Sequence, residues 1–275
     1  MKGSKKFICP ACGQKKFVPY VDENKNIVDV EKWGRCERKD SCGYCEYPKI
    51  RGNEWKPPRE PKPYIPPKPT EYVSQEIVER TFNNFKANVF FQYLIKTFGK
   101  DMAFELQSRY NIGTSKSGGT IFWQQDRKNR FRTGKVINYK PDGHRDKDKF
   151  SWFVHKKIRE DFNYQQCFFG LHLVSAEKPI ALCESEKTAV MMSVYEPEFT
   201  WIASGGSEML SDIRKAELPR LDKVFADNGQ FEKWAKATRN FEGRQMDVTV
   251  DQAVENGLIE KGSDILDLVL INKTL

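Results

Sequence analysis

Residues 180–203 read IALCESEKTAVMMSVYEPEFTWIA, and they set the architecture of the C-terminal third of the chain. The apolar run Ile180–Cys183 predicts a strand, residues 185–195 have a helical pattern, and residues 199–203 predict a second strand. The same alternation continues downstream, with strands expected at 221–226 and 246–250 and helices at 208–215, 231–240 and 263–270. Such alternation predicts a parallel sheet with helices on its faces.

Upstream of this region, the pattern changes to helices followed by antiparallel strands. Apolar residues recur at helical spacing over 74–98, and Asp101 can begin a further helix. Strands are predicted over 120–124, 131–139 and 150–155, separated by polar turns, which favours an antiparallel meander. The predicted fold class is therefore α+β with several domains: an N-terminal zinc ribbon, a helical and antiparallel-β middle, and a C-terminal α/β domain.

The N-terminal part is distinguished by its cysteines and prolines. Residues 1–52 hold five of the seven cysteines, and residues 57–69 contain seven prolines. A proline-rich segment is stiff and extends roughly 3.1 Å per residue, so it is either a spacer that holds the cysteine module away or a strap that folds back along a groove. The predicted segments are a zinc-binding module at 1–52, a linker at 53–72, a basic region at 73–178, and an α/β domain at 179–275.

Composition and charge restrict the function classes. No apolar run in the 275 residues reaches the roughly 18 residues of a membrane span. The N-terminus has basic residues without an apolar stretch after them, so we expect no secretory signal and a reducing cytoplasm. Residues 179–275 carry 11 Lys+Arg against 17 Asp+Glu, which leaves a net charge of +14 on residues 1–178. A basic front attracts polyanions and indicates nucleic acid rather than membrane.

Cysteine spacing predicts a structural zinc site. Two residues separate Cys9 from Cys12, and both Cys12 and Cys42 precede a glycine, so the two Cys-Gly pairs look like matching turns. Four thiolates in a tetrahedron form the usual closed zinc site, and a module of about fifty residues has too small a core to fold without such a metal. The favoured ligands are Cys9, Cys12, Cys36 and Cys42. Cys45 either replaces Cys42 or Cys36 or is a spare thiol. Cys167 and Cys183 are expected in the core.

Acidic residues stand at three predicted strand ends of the C-terminal region. Glu184 follows the first strand, Asp227 follows the strand at 221–226, and Asp264 and Asp267 begin the last helix. Ligands and catalytic groups concentrate at such strand ends in parallel sheets. Clustered carboxylates suit Mg²⁺ or Mn²⁺, and a single glutamate can act as a general acid or base. The alternative is that these are ordinary acids favoured by the helix dipole at helix starts.

Several motifs of this region resemble the Toprim domain, which is found in bacterial-type DNA primases, topoisomerases and some nucleases. ALCESEKTA at 181–189 resembles the first motif of that domain, and the turn Ser204-Gly205-Gly206 fits the position after the next strand. VFAD at 224–227 resembles the strand that ends in the family's Asp-x-Asp motif, and KGSDILD at 261–267 is similar to the closing acidic stretch of many primase Toprim domains. The resemblance covers roughly residues 178–272.

An N-terminal zinc module ahead of such a domain is the arrangement of bacterial and phage primases, and the chain most resembles short primase-like Toprim proteins of mobile elements and phages. The resemblance makes residues 73–178 a primase-core-like region. It implies Glu184 and Asp227 as catalytic residues, and Glu184, Asp227 and Asp264 as ligands of Mg²⁺ or Mn²⁺. The chain departs from the family at Asp227-Asn228-Gly229, where the second aspartate is missing. Either Asp264 or Asp267 substitutes for it, or metal binding is weak, or the domain is degenerate and non-catalytic.

The middle of the chain is basic and aromatic. Residues 126–160 contain 12 Lys+Arg against 5 Asp+Glu, with aromatic residues interleaved. Cations along the backbone and rings under the bases often hold single-stranded nucleic acid, although a solvated sheet face over core aromatics gives the same pattern. The predicted nucleic-acid-binding residues are Arg127, Lys128, Arg130, Arg132, Lys135, Lys156, Lys157 and Lys187. Lys187 alternatively faces solvent.

These features predict primase-like, metal-dependent nucleotidyl transfer on a single-stranded DNA template, with a helicase or another replication protein as a candidate partner. One alternative is a non-catalytic factor of replication or mobilisation that binds single-stranded DNA or RNA. A second alternative is a Toprim nuclease, which uses similar carboxylates. A topoisomerase is disfavoured because the chain is too small for a strand-passage gate.

Overall fold

The computed structural model describes residues 5–22, 24–27, 29–38, 41–47, 68–206, 209–210 and 212–274. The chain forms two compact units, Met1–Ile65 and Pro66–Leu275. Residues 53–67 of the predicted linker lie outside the described residues, so the linker remains a prediction. In the described part of the chain, no helix has the length and apolar character needed to cross a membrane.

The first unit is a small antiparallel sheet with almost no core. Its strands are β1 (Phe17–Pro19), β2 (Gly34–Cys36) and β3 (Cys45–Glu46), in the order β1-β2-β3. Phe17 is fully buried beside Cys9 and Cys36. Gly34 is required there, because a Cβ atom would lie 2.4 Å from the Val18 carbonyl oxygen. So few apolar contacts leave the stability of this unit dependent on its cysteines.

The second unit begins with helices and an antiparallel sheet, as predicted. The helices are α1 (Gln75–Glu79), α2 (Val89–Phe98) and α3 (Lys100–Tyr110). The helical pattern over 74–98 is interrupted at Asn84, whose backbone is left-handed with a φ of +51°. Asn88 then caps α2 by accepting a hydrogen bond from the Phe91 amide at 3.1 Å.

The antiparallel sheet has consecutive neighbours and is therefore a meander. Its strands are β4 (Ile112–Thr114), β5 (Thr120–Gln125), β6 (Phe131–Ile137) and β7 (Trp152–Phe153), and the short helix α4 (His155–Ile158) follows. Strand β4 was not predicted, because Asn111 and Gly113 flank its one apolar residue, Ile112, and are typical of turns. It exists because its backbone pairs with β5.

The C-terminal part alternates strands and helices around a parallel sheet, as predicted. Its elements are β8 (Ile180–Cys183), α5 (Glu186–Tyr195), β9 (Thr200–Ala203), α6 (Asp212–Lys215), β10 (Lys223–Val224), α7 (Phe231–Ala237), β11 (Gln245–Met246), α8 (Thr249–Glu255) and α9 (Ile265–Thr274). The strand order is β11-β10-β8-β9, and all three pairings are parallel. The strand predicted at 246–250 is wrong beyond residue 246, since helix α8 begins at Thr249.

One hydrophobic core spans both sheets of the second unit. Its members come from the helices, the meander and the parallel sheet, including Leu94, Phe122, Ala181, Trp201 and Leu266. The hydroxyl of Tyr110 donates a hydrogen bond to the Trp201 carbonyl at 3.1 Å, which ties α3 to β9. Cys167 and Cys183 are buried, as predicted. The shared core fixes the antiparallel sheet against the edge where the predicted carboxylates lie.

Candidate functional site

Two tight turns present the cysteines of the first unit. The Gly13 amide donates to the Cys9 carbonyl at 2.9 Å, and the Gly43 amide donates to the Arg38 carbonyl at 3.2 Å. Both glycines are left-handed, with φ values of +68° and +66°, a conformation that glycine adopts at little cost. The sequence match between the two Cys-Gly pairs is therefore also a structural match.

The four favoured cysteines form a cluster of tetrahedral dimensions. The Sγ atoms of Cys9 and Cys42 are 3.7 Å apart, and those of Cys12 and Cys36 are 3.9 Å apart. All four lie within 4.8 Å of one another. A tetrahedral zinc ion with Zn–S bonds of about 2.3 Å places its sulfurs about 3.8 Å apart, so the cluster fits zinc. A hydrogen bond from the Gln14 backbone lowers the pKa of Cys12 to about 7, whereas burial and neighbouring thiols raise the pKa values of Cys36 and Cys42. The cluster thus favours one thiolate by itself, and a bound zinc ion would displace the remaining thiol protons.

Cys45 lies outside the cluster, on an exposed face of the ribbon. Its Sγ is 3.8 Å from the Tyr20 hydroxyl, and it pairs in register with Arg35. The ring of Tyr20 stacks on that of Tyr47 with centroids 5.4 Å apart, and Tyr47 is 67% exposed. We call Tyr20, Arg35, Cys45 and Tyr47 the ribbon face. Stacked rings beside a guanidinium suit nucleobases and phosphates.

The carboxylates at the strand ends of the parallel sheet influence one another. Glu184 follows β8, Asp227 follows β10, and Asp264 precedes α9. Burial, together with the charges of Asp264, Glu184 and Asp267, raises the pKa of Asp227 to about 8. Within the described ranges, the group of side chains placed to hold a metal ion is the cysteine cluster, and these acids do not belong to it.

Asp264 and Asp267 also have the structural role of helix-start acids. The Asp267 amide donates to Asp264 Oδ1 at 3.1 Å, and the Asp264 amide donates to Asp267 Oδ2 at 3.0 Å. This reciprocal pairing caps α9. The Thr188 hydroxyl donates to Asp264 Oδ2 at 2.5 Å, which ties the cap to α5. Burial and the Asp267 charge raise the pKa of Asp264.

A hydrogen-bonded latch lies at Asn228 and Gly229, where the resemblance to the Toprim domain leads one to expect a second aspartate. Gly229 has a φ of +78°, and its amide donates to Asp251 Oδ1 at 3.0 Å. The side-chain amide of Asn228 donates to the same oxygen at 2.6 Å, and Asn228 Oδ1 accepts from the Gly262 amide at 3.1 Å. The sequence analysis did not single out Asp251, because it predicted a strand over 246–250 where helix α8 begins. The latch joins the turn after β10, helix α8 and the loop before α9.

The predicted nucleic-acid-binding cations divide into two groups. The cations of the first group already have partners within the protein. Arg130 and Arg132 donate to the Asp126 carboxylate at 3.0 and 2.8 Å. The Lys135 ammonium lies 3.0 Å from Glu186 Oε1. Lys187 donates to the Gly143 carbonyl at 3.2 Å. The remaining four are exposed: Arg127, Lys128, Lys156 and Lys157. Sequence alone did not separate these groups, because the acidic partners lie up to 85 residues away, as Glu217 does from Arg132.

Sequence reasoning missed the ribbon face. The signal was present in the alternation of Cys45 and Tyr47, because residues two apart on a strand share one face. Tyr20 and Arg35 had no such signal. They reach this face through the pairing of β1, β2 and β3.

Two family models match parts of the chain. Residues 1–55 match a zinc beta-ribbon finger, which agrees with the cysteine cluster and supports a structural zinc ion. Residues 88–224 match a domain of unknown function, DUF6371. A search of curated proteins found no match to this chain.

Solved structures that are similar to this chain include three primase fragments. The primase fragment of the bacteriophage T7 primase-helicase protein is 15% identical with a TM-score of 0.38, covering 56% of this chain and 65% of that one. A DNA primase domain from Pseudomonas aeruginosa is 12% identical with a TM-score of 0.32, covering 73% and 68%. The Aquifex aeolicus primase, with its zinc-binding and RNA polymerase domains, is 11% identical with a TM-score of 0.29, covering 66% and 49%. The chain thus spans less than two thirds of the T7 fragment and about half of the Aquifex chain.

Proposed function

We propose that this protein binds single-stranded nucleic acid and reads it with its zinc ribbon. The observation that carries the proposal is the ribbon face, where the stacked rings of Tyr20 and Tyr47 line one pocket with Arg35. Aromatic rings accept bases whatever their sequence, and a guanidinium binds a phosphate with two hydrogen bonds. The net charge of +14 on residues 1–178 favours a polyanionic partner.

The sequence motifs suggest a primase-like Toprim protein of a mobile element or phage, acting in DNA replication in the cytoplasm. In that setting the ribbon contacts a single-stranded DNA template, and a helicase or another replication protein is the expected protein partner. RNA is the alternative ligand. The support for this part of the proposal is the match of the first motif around Glu184 and of the strand that ends at Asp227.

A second candidate function is metal-dependent nucleotidyl transfer at the carboxylate edge. The observation that favours it is the placement of Glu184 after β8, Asp227 after β10 and Asp264 before α9, close enough that their charges add to burial in raising the pKa of Asp227. A bound divalent cation would relieve the repulsion among them. These three side chains would hold Mg²⁺ or Mn²⁺, which stabilises charge in phosphoryl transfer when bound. Glu184 would act as general acid or base. The latch at Gly229 leaves one fewer ligand than the family motif provides.

The binding proposal is tested with a fluorescently labelled oligo(dT), with matched duplex and RNA as competitors. Replacing Tyr47 by Leu or Arg35 by Ala is expected to weaken binding, since stacking is worth about 1–3 kcal/mol per base. Lys15→Ala removes one exposed charge from the same unit and serves as the control. Tight oligo(dT) binding that none of these variants alters would remove the ribbon face from the proposal.

Catalysis is tested by template-dependent ribonucleotide incorporation with Mg²⁺ or Mn²⁺. Incorporation that Glu184→Gln and Asp227→Asn abolish would establish nucleotidyl transfer. Cleavage of the template without synthesis would identify a nuclease. Binding of single strands with neither activity would establish the non-catalytic factor.

A further inference from the structure

The second unit has a groove that none of the sites above includes. Its volume is about 830 Å³, within the range of about 300–1,000 Å³ typical of ligand sites. The walls come from the end of α1, the turn between β4 and β5, and the segment from β7 to α4. The residues that matter to the argument are Arg80, Asn84, Lys116, Trp152 and Lys157. We call this set the sheet groove.

The charge of the sheet groove is positive and mostly uncompensated. Its lining includes three cations and no carboxylate. Within the described part of the chain, neither Lys116 nor Lys157 forms an ion pair. Arg80 pairs with Glu76 one helical turn away, but both side chains are 73% exposed, so the pair is weak and exchangeable. This differs from Arg132 in the hairpin, which Asp126 and Glu217 hold.

The floor of the sheet groove is apolar and includes one aromatic ring. Ile77, Ile121 and Val154 line it together with the half-buried Trp152. The exposed side chain of Asn84 makes no hydrogen bond within the described residues, so its amide is available to a ligand. Cations at the rim and a ring on the floor are the combination that holds the backbone and bases of a single strand.

The walls of the sheet groove are fixed by hydrogen bonds. Thr81 Oγ1 accepts from Trp123 Nε1 at 3.0 Å, and the Thr81 carbonyl accepts from the Thr114 amide at 2.8 Å. These two bonds hold the segment after α1 against β5 and β4. Gly118 has a φ of +83°, and a Cβ atom there would lie 2.7 Å from the Ala87 carbonyl oxygen, so the β4–β5 turn is closely packed. A preformed groove loses little entropy on binding.

We propose that the sheet groove is where the second unit holds single-stranded nucleic acid. Arg80, Lys116 and Lys157 bind consecutive phosphates, and Trp152 stacks on a base. The inference rests on the proposed function, and it assigns the main contact to this groove rather than to the arginine-rich hairpin at 127–132.

The test compares two triple variants of the full chain in oligo(dT) binding as a function of salt. The groove variant is Arg80→Ala/Lys116→Ala/Lys157→Ala. The control is Lys96→Ala/Lys100→Ala/Lys236→Ala, which removes the same charge from exposed positions outside the groove. Each phosphate contact contributes about 0.7 to the slope of log K against log salt for single strands, so the groove variant should lower the slope by about 2. The control should leave it nearly unchanged.

Trp152 gives a second readout that charge does not affect. Trp152→Phe keeps a ring and should bind nearly as the wild type does, whereas Trp152→Leu should bind about tenfold more weakly. Circular dichroism checks that both variants fold. If the wild type binds and the two triple variants have equal slopes of log K against log salt, the assignment of the sheet groove as the binding site is wrong and the proposed function still stands. No wild-type binding to any single strand would overturn both.

Discussion

The Lys135 ammonium lies 3.0 Å from Glu186 Oε1 and donates to the Gly205 carbonyl at 2.7 Å. Lys135 is on β6 of the meander, and Glu186 opens α5 beside the parallel sheet. The Gly205 amide in turn donates to the Glu184 carbonyl at 2.8 Å. Lys135, which the sequence analysis predicted on a nucleic-acid surface, thus forms an ion pair that ties the two sheets together next to the candidate catalytic glutamate.

Breaking this pair should destabilise the second unit strongly. Lys135→Met leaves a Glu186 carboxylate that is only 2% exposed without its cation, and we expect a loss of about 3–5 kcal/mol in the free energy of unfolding. The double variant Lys135→Met/Glu186→Met removes both charges and should cost less than the single one. Urea denaturation measures both. A double variant as unstable as the sum of the two single variants would show that the pair is not coupled.

The zinc content of the protein should depend on the four clustered cysteines and not on Cys45. Cys9→Ser and Cys12→Ser each remove a ligand from a site with sulfurs 3.7–3.9 Å apart, so metal analysis should show loss of the single zinc per chain. Cys45→Ser is the matched control from the same unit, and it should keep one zinc. Loss of zinc from Cys45→Ser alone would reverse the assignment.

Asp227 should make the protein less stable as the pH rises. Burial and the neighbouring carboxylates raise its pKa from 3.8 to about 8, so the native state binds more protons than the unfolded chain between those pH values. The contribution of Asp227 to the free energy of unfolding is therefore most favourable below about pH 3.8, and it is lost as the pH rises toward 8. Asp227→Asn should remove this fall, so its advantage over wild type should grow from pH 5 to pH 8 in urea denaturation without added divalent cations.

Mg²⁺ should reverse the effect of Asp227 if the carboxylate edge holds a cation. At pH 8, adding millimolar Mg²⁺ should raise the unfolding midpoint of the wild type, because a ligand that binds only the native state stabilises it. Asp227→Asn should respond less, having lost one ligand. Equal responses of the two proteins would place the Mg²⁺ effect elsewhere.

Asn228 should tolerate alanine better than aspartate. Alanine loses two side-chain hydrogen bonds, at a cost of about 1–2 kcal/mol. Aspartate keeps an oxygen that can accept from the Gly262 amide, but it sets a carboxylate where a donor now lies 2.6 Å from Asp251 Oδ1, and the repulsion between the two carboxylates costs more than the hydrogen bond that it retains. We expect Asn228→Asp to be the less stable of the two at pH 7 and to recover toward pH 4. Unfolding midpoints at the two pH values check this, and a pH-independent difference would contradict it.

Local patterns predicted most of the fold. The alternation after residue 179 gave the parallel sheet, because buried strands and amphipathic helices have distinct periods. The Cys-Gly pairs gave the cysteine cluster, because a tight turn needs a left-handed residue beside the ligand. Strand β4 was not predicted because it depends on its partner β5. Helix α8 was missed because the run at 246–250 favours a strand, although Val250, Ala253 and Val254 have helical spacing.

The sequence by itself determined which residues carry charge, metal affinity and periodicity. It did not determine which cations are free. Arg132 is held by Glu217 and Lys135 by Glu186, whereas Lys116 and Lys157 both line the sheet groove although they are 41 positions apart in the sequence. Neutralisation of a charge depends on atoms within about 4 Å, and only the packed chain decides which residues lie that close.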